Sequence, residues 1–537
     1  GVSTNHLGQF NRDDDTVRED VTLQRGIHEI HIGGEAVRVT NTLVNTFRMS
    51  GNFTFGNKLS GSNLSDFLLG DASTFVQGGG EYKNLVGVLW SLYAQDNIRV
   101  SSRLKLELGL RWDPYFPYTE QRGRIVCYLP GVPHGSTRFP NAPPGMLFGG
   151  DPDCPAGGSK TDAMNIGPRL GFAYRLGANT VVRGGAGIYY TPIGNHDSNG
   201  MVDTAPFSPQ FNYTGIVNFA NPYSSIGIPN PFPAQYATTS PSSSAAFTLP
   251  VSIYGSLQPN WHMPELATWN LNIERQFHNS WVGRISYAGN KGTYLASGVA
   301  SFTEQNPAVY LPGQSSASNT QQRRLDPNFG SVGLFQSANN SHYESLRLNL
   351  ERRFSRGFTI LANYTYSKLL DDFAPGGNSQ TNPFLRRFDY GISNDDVPWV
   401  FNFSGVWQIP AAPVHGLANT LVNGWELTSI ASWRAGFPFA VYSGVDHSFS
   451  GVGHDRADYL GGNAALDTGR AHGELIAQYF NTAAFAQNAI GTFGSSGKNI
   501  LFGPRSFDTD LGLLKNFAFL ERLSLQFRAE FFNSFNN

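Results

Sequence analysis

Residues 342–370 contain two long segments in which apolar and polar side chains alternate. In the first segment, Leu346, Leu348 and Leu350 are each followed by a polar or charged residue. The second segment begins after Gly357 and repeats the pattern. Side chains of a β-strand point to opposite faces in turn, so a period of two predicts strands with one apolar face. Each segment has about ten residues, which is the length of a membrane-spanning barrel strand.

The same alternation recurs along the chain, in about fourteen segments. The clearest are 104–112, 168–176, 180–190, 269–277, 397–409 and 522–532. Their second face is polar or charged, and we interpret it as the hydrated wall of a lumen. The charged positions of this wall are Lys105, Glu107, Arg169, Arg175, Arg347, Glu351, Arg528 and Glu530.

Short and long connections alternate along the chain. Short ones lie at 101–102, 177–179, 278–280, 355–357 and 520–521, and long ones at 113–164, 191–264, 291–341, 371–397 and 435–507. Tight connections join antiparallel neighbours. Strict alternation puts every short turn at one rim of a sheet and every long loop at the other. Short periplasmic turns and long extracellular loops are typical of outer-membrane barrels.

A sheet that crosses hydrocarbon must close, because every backbone N–H and C=O needs a partner within the protein. We therefore predict an all-β fold, a large antiparallel transmembrane β-barrel. Six tryptophans near strand ends fit the aromatic girdles at the two membrane interfaces: Trp112, Trp269, Trp399, Trp407, Trp425 and Trp433. The alternative is a large β-sandwich, in which these rings would form an ordinary core.

Composition narrows the class of protein further. The net charge is −2 and only 15% of residues are charged, so no basic field indicates nucleic acid as a partner. No run of 18 apolar residues predicts a membrane helix, and the first residues carry no signal peptide. No Ser/His/Asp arrangement or HExxH motif is present, so we expect neither an enzyme nor a cofactor.

Several stretches resemble the Oar-like subgroup of TonB-dependent outer-membrane receptors. They include LSDFLLGDASTF, YAQDNIRVSSRLKLELGLRWDP, WNLNIERQF, YESLRLNLERRFSRGFTILANYTYSKLLDD and FGPRSFDTDLGLLKNFAFLERLSLQFRAEFFNSFNN. The order and spacing of these stretches carry the resemblance over residues 20–537. It implies a barrel of the 22-strand type around a plugged lumen, located in the bacterial outer membrane.

The resemblance also implies a function and partners. It implies TonB-coupled uptake of a bulky solute, such as a siderophore or an oligosaccharide, with outer-membrane lipid, a plug domain and the TonB complex as partners. Residues 1–537 would form the barrel domain alone, as a fragment that lacks the plug, the N-terminal regulatory-like domain and a closing strand. The alternative is a surface adhesin or structural outer-membrane protein without transport.

Individual loop residues suggest smaller sites. Cys127 and Cys154 are the two cysteines, and they form either a loop disulfide or two free thiols. Metal binding by Asp13–Asp15 or by the group Asp446, His447, His454, Asp455 and Asp458 matches no spacing template, so we expect no metal. Residues 494–499 resemble a phosphate loop only in composition, because the GxxxxGK[ST] spacing is wrong.

Overall fold

The computed structural model describes residues 7–46, 48–56, 59–193, 204–232, 241–278, 280–297, 302–375, 380–520 and 523–535. Its helices are α1 Asn63–Leu69, α2 Pro222–Ser225, α3 Leu417–Val422 and α4 His472–Ala477. Short 3-10 turns lie at Ala317–Asn319, Gln321–Arg323, Arg386–Asp389 and Thr482–Ala484. Within these described ranges no helix is long and apolar enough to cross a membrane.

The rest of the regular structure is strand. In chain order the strands are β1 Gly8–Arg25, β2 His28–Asn45, β3 Asn52–Thr54, β4 Asp71–Gly78, β5 Glu81–Ile98, β6 Leu104–Trp112, β7 Thr119–Glu120, β8 Val126–Tyr128, β9 Met146–Phe148, β10 Ile166–Gly177, β11 Thr180–Tyr190, β12 Gln210–Asn218, β13 Val251–Leu257, β14 Glu265–Phe277, β15 Trp281–Ala296, β16 Thr303–Glu304, β17 Phe329–Phe335, β18 Ser337–Ser355, β19 Phe358–Asp371, β20 Gly391–Ile392, β21 Trp399–Gln408, β22 Trp425–Arg434, β23 Pro438–Phe439, β24 Asp458–Tyr459, β25 Phe485–Ala486, β26 Leu501–Phe502, β27 Ser506–Leu520 and β28 Leu523–Phe531.

The long strands form one antiparallel sheet in which each strand pairs with the next long strand of the chain. Its order is β1-β2-β5-β6-β10-β11-β14-β15-β18-β19-β21-β22-β27-β28. The predicted fold class, an all-β chain with a large antiparallel sheet, is confirmed. Within the described residues β1 and β28 are the two ends of this sheet, and no pairing joins them.

The connections alternate in length as predicted, with one exception. Tight turns join β10 to β11 and β18 to β19, whereas segments such as 113–165 and 435–505 are long. In the β18–β19 turn, Arg356 and Gly357 both have positive φ, of 51° and 85°, which matches the twist of a two-residue hairpin. The exception is 409–424, between β21 and β22, which contains the helix α3.

The hairpin of β1 and β2 was missed by the sequence analysis. Asp13, Asp14 and Asp15 lie within β1 rather than in a loop, so successive carboxylates point to opposite faces of the sheet. Asp14 pairs with Arg12, and Asp15 with Arg38. Strand geometry therefore separates the three carboxylates that were considered as metal ligands.

The strand register aligns side chains of one kind across most of the sheet. One row is apolar and crosses ten strands: Leu104, Tyr174, Val182, Ile273, Ile285, Leu348, Tyr364, Phe401, Trp433 and Phe507. The next row, on the opposite face, is mostly polar: Arg175, Val181, Glu274, Arg284, Asn349, Asn363, Asn402, Ser432 and Asp508. We call these the apolar face and the polar face of the sheet.

Among the residues that the structure describes, no second layer of protein covers the central rows of the apolar face. Ile285 and Leu348 keep 54% and 42% of their side chains exposed, and Leu170 keeps 54%. A soluble sandwich buries such a face. The bare apolar face is the arrangement expected of a sheet whose outer surface contacts lipid.

The long loops fold against one another, although the sequence analysis assigned no elements to them. One aromatic cluster joins Phe139, Phe148, Phe207 and Phe329, which belong to three different loops. Strands β13 and β17, from the second and third of these loops, pair in parallel. A smaller sheet of β3, β4 and β12 has its own aromatic core. We refer to the loops of residues 46–80, 113–165, 191–264 and 297–336 together as the cap.

Cys127 and Cys154 lie in the buried centre of the cap. Their sulfur atoms are 2.15 Å apart and their Cα atoms 5.8 Å apart. Both residues belong to the core cluster that also contains Tyr115 and Trp261. The bond therefore ties strand β8 to the loop segment that follows β9.

Candidate functional site

The cap packs onto the polar face of the sheet, at the end where the long loops emerge. Here the inward-facing residues become apolar, and Val39 and Leu85 are 1% exposed beneath the loop residues Tyr118 and Ile125. Gly87 makes the contact possible, because a Cβ there would overlap Cδ1 of Tyr118. The polar face is therefore the covered, inner face of the barrel wall.

A pocket remains open where the cap meets the polar face. Its volume is about 200 Å³. The lining comes from strands β2, β5, β6, β10 and β11 and from the cap, and we call it the mouth pocket: Glu35, Val37, Leu89, Trp90, Ser91, Arg111, Asp113, Pro114, Tyr115, Arg169, Tyr189, Tyr190, Pro192 and Met263.

Two arginines supply the positive charge of the mouth pocket. Arg111 donates from Nε to both carboxylate oxygens of Asp113, at 2.8 and 3.0 Å. The guanidinium of Arg169 stacks over the ring of Tyr189, with Cζ 4.5 Å from the ring centroid. The Nε atom of Arg169 is buried and has no hydrogen-bond partner among the described residues. An acceptor oxygen on a bound molecule would satisfy this donor.

Phenol groups surround these arginines. Tyr190 donates a hydrogen bond to Oε2 of Glu265 at 3.3 Å. Burial raises the pKa of Tyr115 well above its ordinary value, with the neighbouring Tyr118 as a second cause. Tyr115 therefore stays neutral at physiological pH. Aromatic rings next to guanidinium groups suit a solute that is partly planar and carries negative charge.

The charged residues predicted to line a lumen share the polar face of the sheet, and only one of them reaches the pocket. Lys105, Glu107 and Arg175 lie on the polar face of β6 and β10, Arg347 and Glu351 on that of β18, and Arg528 and Glu530 on that of β28. Arg169 alone among the eight lines the mouth pocket.

Sequence reasoning missed Glu35, Tyr189 and Tyr190. The two tyrosines end the segment GGAGIYY, whose alternation indicated only a strand. Their place beside Arg169 depends on the pairing of β10 with β11. The short connection at 177–179 predicts that these two strands are neighbours, but it carries no signal that the cap leaves a pocket over them.

The residues considered for a loop metal site hold the loop together instead. Asp455 is 1% exposed, and its Oδ2 accepts hydrogen bonds from the Ser448 amide at 2.7 Å and from Asn488 at 3.0 Å. Burial raises the pKa of Asp455. Asp458 accepts from the Ala489 amide, and His447 contacts the Asn488 carbonyl. The described part of the chain has no cluster of three metal-binding side chains.

The glycine-rich segment 494–499 has a structural role as well. Lys498 is fully buried and pairs with Asp371 at the end of β19. Asn499 donates to the Ile392 carbonyl at 2.9 Å. The lysine that a phosphate loop would offer to a nucleotide is thus already paired, and the segment fastens loop 435–505 to the sheet.

The whole chain matches one family. A family model described as "Outer membrane beta barrel domain" matches residues 1–537. This description places the family in the outer membrane. No curated protein sequence matches the chain.

Several solved structures align with the chain at low sequence identity. The outer membrane transporter YddB from Escherichia coli aligns with a TM-score of 0.46 and 10% identity, covering 99% of this chain and 51% of its own. The ferric enterobactin receptor PfeA from Pseudomonas aeruginosa, solved as a mutant, gives 0.44 and 13%, covering 98% and 48%. The alcaligin receptor FauA from Bordetella pertussis gives 0.39 and 9%, covering 98% and 52%. The chain thus spans about half the length of these structures. The strand pattern, the bare apolar face and the family match agree, and the chain belongs to the family of outer-membrane β-barrel domains.

Proposed function

We propose that this chain is the barrel wall of a TonB-dependent receptor of the Oar-like subgroup, which takes up a bulky solute across the outer membrane. The observation that carries the proposal is the mouth pocket, which lies on the inner face beneath a folded cap and, at about 200 Å³, has room for one charged group of such a solute. A pore for passive diffusion needs an open mouth, whereas a receptor needs a site that faces outward and holds its solute.

The solute that the mouth pocket suits best carries an anionic group. Arg169 offers an unsatisfied Nε, and Tyr189 fixes the plane of its guanidinium. Siderophores with carboxylate or catecholate groups and acidic oligosaccharides both have this chemistry. The polar rows further along the wall, such as Glu274 with Arg284 at 2.9 Å, would then face the plug domain.

The proposal is tested in cells by uptake. Deletion of the gene is expected to abolish uptake of one solute in a panel of labelled ferric siderophores and acidic oligosaccharides. A protonophore is expected to stop the same uptake, because TonB coupling draws on the proton gradient. Unchanged uptake in the deletion strain together with reduced attachment to surfaces would favour the adhesin alternative.

The mouth pocket is tested with a matched pair of variants. Arg169→Gln removes the charge-assisted donor and is expected to raise the half-saturating solute concentration by about tenfold or more. Arg175→Gln changes an arginine on the same face of the same strand, outside the pocket. This variant is expected to leave the half-saturating solute concentration unchanged. Equal effects of the two variants would mean that the mouth pocket does not bind the solute.

A further inference from the structure

Arg352 breaks the pattern of the apolar face. It follows Leu346, Leu348 and Leu350 at the same spacing on β18, and it pairs with Trp281 of β15 and Ile360 of β19. Its side chain therefore lies on the surface that faces lipid. A charge in this position costs several kcal/mol at the membrane centre and little near an interface. An arginine here requires a partner or a place close to the headgroups.

The surroundings of Arg352 hold its guanidinium in place without neutralising it. The residue is 6% exposed, and its Cζ lies 3.2 Å from the ring centroid of Phe358 and 5.4 Å from that of Trp281. Its Nε and Nη1 atoms are buried and lack a hydrogen-bond partner in the described part of the chain. Two donors of a fixed, positively charged fork are thus left for an acceptor from outside the protein.

A groove begins at the same phenylalanine. It has a volume of about 430 Å³ and crosses the apolar face over strands β19, β21, β22 and β27. Its walls include Phe358, Ile360, Phe403, Trp407 and Leu427. At Gly405 the absence of a side chain leaves the floor of the groove open. An unbranched hydrocarbon chain fits such a lining, and a water-soluble ligand does not.

The position of Arg352 along its strand corresponds to the level of the lipid headgroups. Arg352 lies four residues before the tight turn of Arg356 and Gly357. Trp407 and Trp425 mark the same rim on neighbouring strands, as an aromatic girdle does at a membrane interface. A second cation, Lys515, lies over the Trp425 ring, with Nζ 5.4 Å from the ring centroid.

We propose that the groove and Arg352 together form a binding site for one anionic phospholipid of the periplasmic leaflet. An acyl chain occupies the groove, and phosphate oxygens accept hydrogen bonds from the Arg352 guanidinium. The charge on the rim and the apolar lining select this occupant over a zwitterionic lipid and over free phosphate. The site is independent of the proposed transport function, because it lies on the opposite face of the wall from the mouth pocket.

The test is native mass spectrometry on protein extracted from outer membranes and mixed with equal amounts of dioleoylphosphatidylglycerol and dioleoylphosphatidylcholine. Wild-type protein is expected to retain about five times more of the anionic lipid than of the zwitterionic lipid. This is the preference that one arginine near the headgroups produces. Arg352→Gln is expected to lose this preference. Arg353→Gln is the matched control, because the adjacent arginine is 75% exposed beside Glu351 on the polar face.

A second variant separates lipid binding from folding. Gly405→Leu places a side chain in the groove and is expected to reduce retention of both lipids, while Arg352 remains. Heat-dependent gel mobility reports whether each variant is folded. The proposal is overturned if folded Arg352→Gln keeps the wild-type preference, if wild-type protein retains the two lipids equally, or if Gly405→Leu retains both lipids as the wild type does.

Discussion

At the residue scale, neighbouring side chains in one strand belong to different surroundings. Leu348 contacts no covering layer, whereas Asn349 donates a hydrogen bond to Asn363 on the opposite face at 2.5 Å. Similarly, Ser432 donates to Asn402 at 3.0 Å across a strand pair. Polar cross-strand bonds of this kind stabilise the inner wall, and burial in hydrocarbon stabilises the outer one.

Because of this difference, an arginine introduced on the apolar face is expected to lower stability more than an arginine introduced on the polar face. Leu348→Arg, in the middle of β18, is expected to lower the free energy of unfolding in lipid vesicles by about 2–4 kcal/mol, because the charge enters hydrocarbon. Asn402→Arg, an exposed position on the polar face of β21, is expected to cost little. Urea titration of both variants in vesicles measures the difference, and equal losses would contradict a lipid-facing wall.

At the element scale, the cap is a folded unit that depends on close contact with the sheet. Its cores are built from aromatic residues of separate loops. Most of its strands pair with one another, whereas β7 pairs with β5 of the main sheet. The contact of Tyr118 with Gly87 fastens the cap to β5. The position of the mouth pocket follows from this docking.

Gly87→Ala is expected to weaken the docking of the cap by about 1–3 kcal/mol, the usual cost of an added group in a packed core. The new Cβ would overlap the Tyr118 ring. Hydrogen exchange of the β8–β9 hairpin measures the loss. Gly109→Ala is the control, since on β6 its Cβ would meet only ordinary contacts of 3.6 Å and longer. Similar exchange in both variants would mean that Tyr118 does not hold the cap.

The bond between Cys127 and Cys154 closes a segment with a sequence separation of 27. We expect it to stabilise the cap by about 3–4 kcal/mol, through restriction of the unfolded segment. Replacing both cysteines by serine is expected to raise hydrogen exchange in β8 and β9. The bond itself is checked by treating the protein with an alkylating agent in the absence of reductant and measuring the mass of the intact protein. Modification of both thiols in the untreated protein would support the alternative of two free cysteines.

At the scale of the whole molecule, one sheet separates lipid from an aqueous interior. The rows of the apolar face continue over many strands, and tryptophans mark both of its ends, with Trp112 and Trp399 at the loop end and Trp407 and Trp425 at the turn end. The described part of the cap packs against the inner face. This asymmetry distinguishes the molecule from a sandwich.

The two surroundings predict a measurable alternation along β18. Spin labels on single cysteines at Leu346, Leu348 and Leu350 are expected to collide more with oxygen, which concentrates in lipid. Labels at Arg347, Asn349 and Glu351 are expected to collide more with a water-soluble nickel chelate. Electron paramagnetic resonance in vesicles gives both collision rates at each position. A collision ratio that fails to alternate with a period of two would exclude this placement of the sheet in the membrane.

The sequence predicted the strands well and the loops poorly, and particular residues show why. Gly357, between two segments of alternating side chains, indicates a hairpin, because glycine adopts the positive φ of a tight turn without steric cost. In contrast, Phe139, Phe207 and Phe329 form one core although they lie far apart in the chain. No local period marks such contacts. The period of two already puts Arg352 on the face of Leu346, Leu348 and Leu350, but only the register shows that Trp281 lies beside it.

The sequence by itself determined the two-faced strands, their antiparallel order and the alternation of short and long connections. These features follow from the period of side chains along an extended backbone and from the conformations of single turn residues, which are local properties. Only the tertiary structure decided which face the cap covers, where Arg169 meets Tyr189, and how Arg352 comes to lie between Trp281 and Phe358. Each of these depends on packing between residues that are distant in the chain or on neighbouring strands, and the free energy of that packing is set by the assembled surfaces.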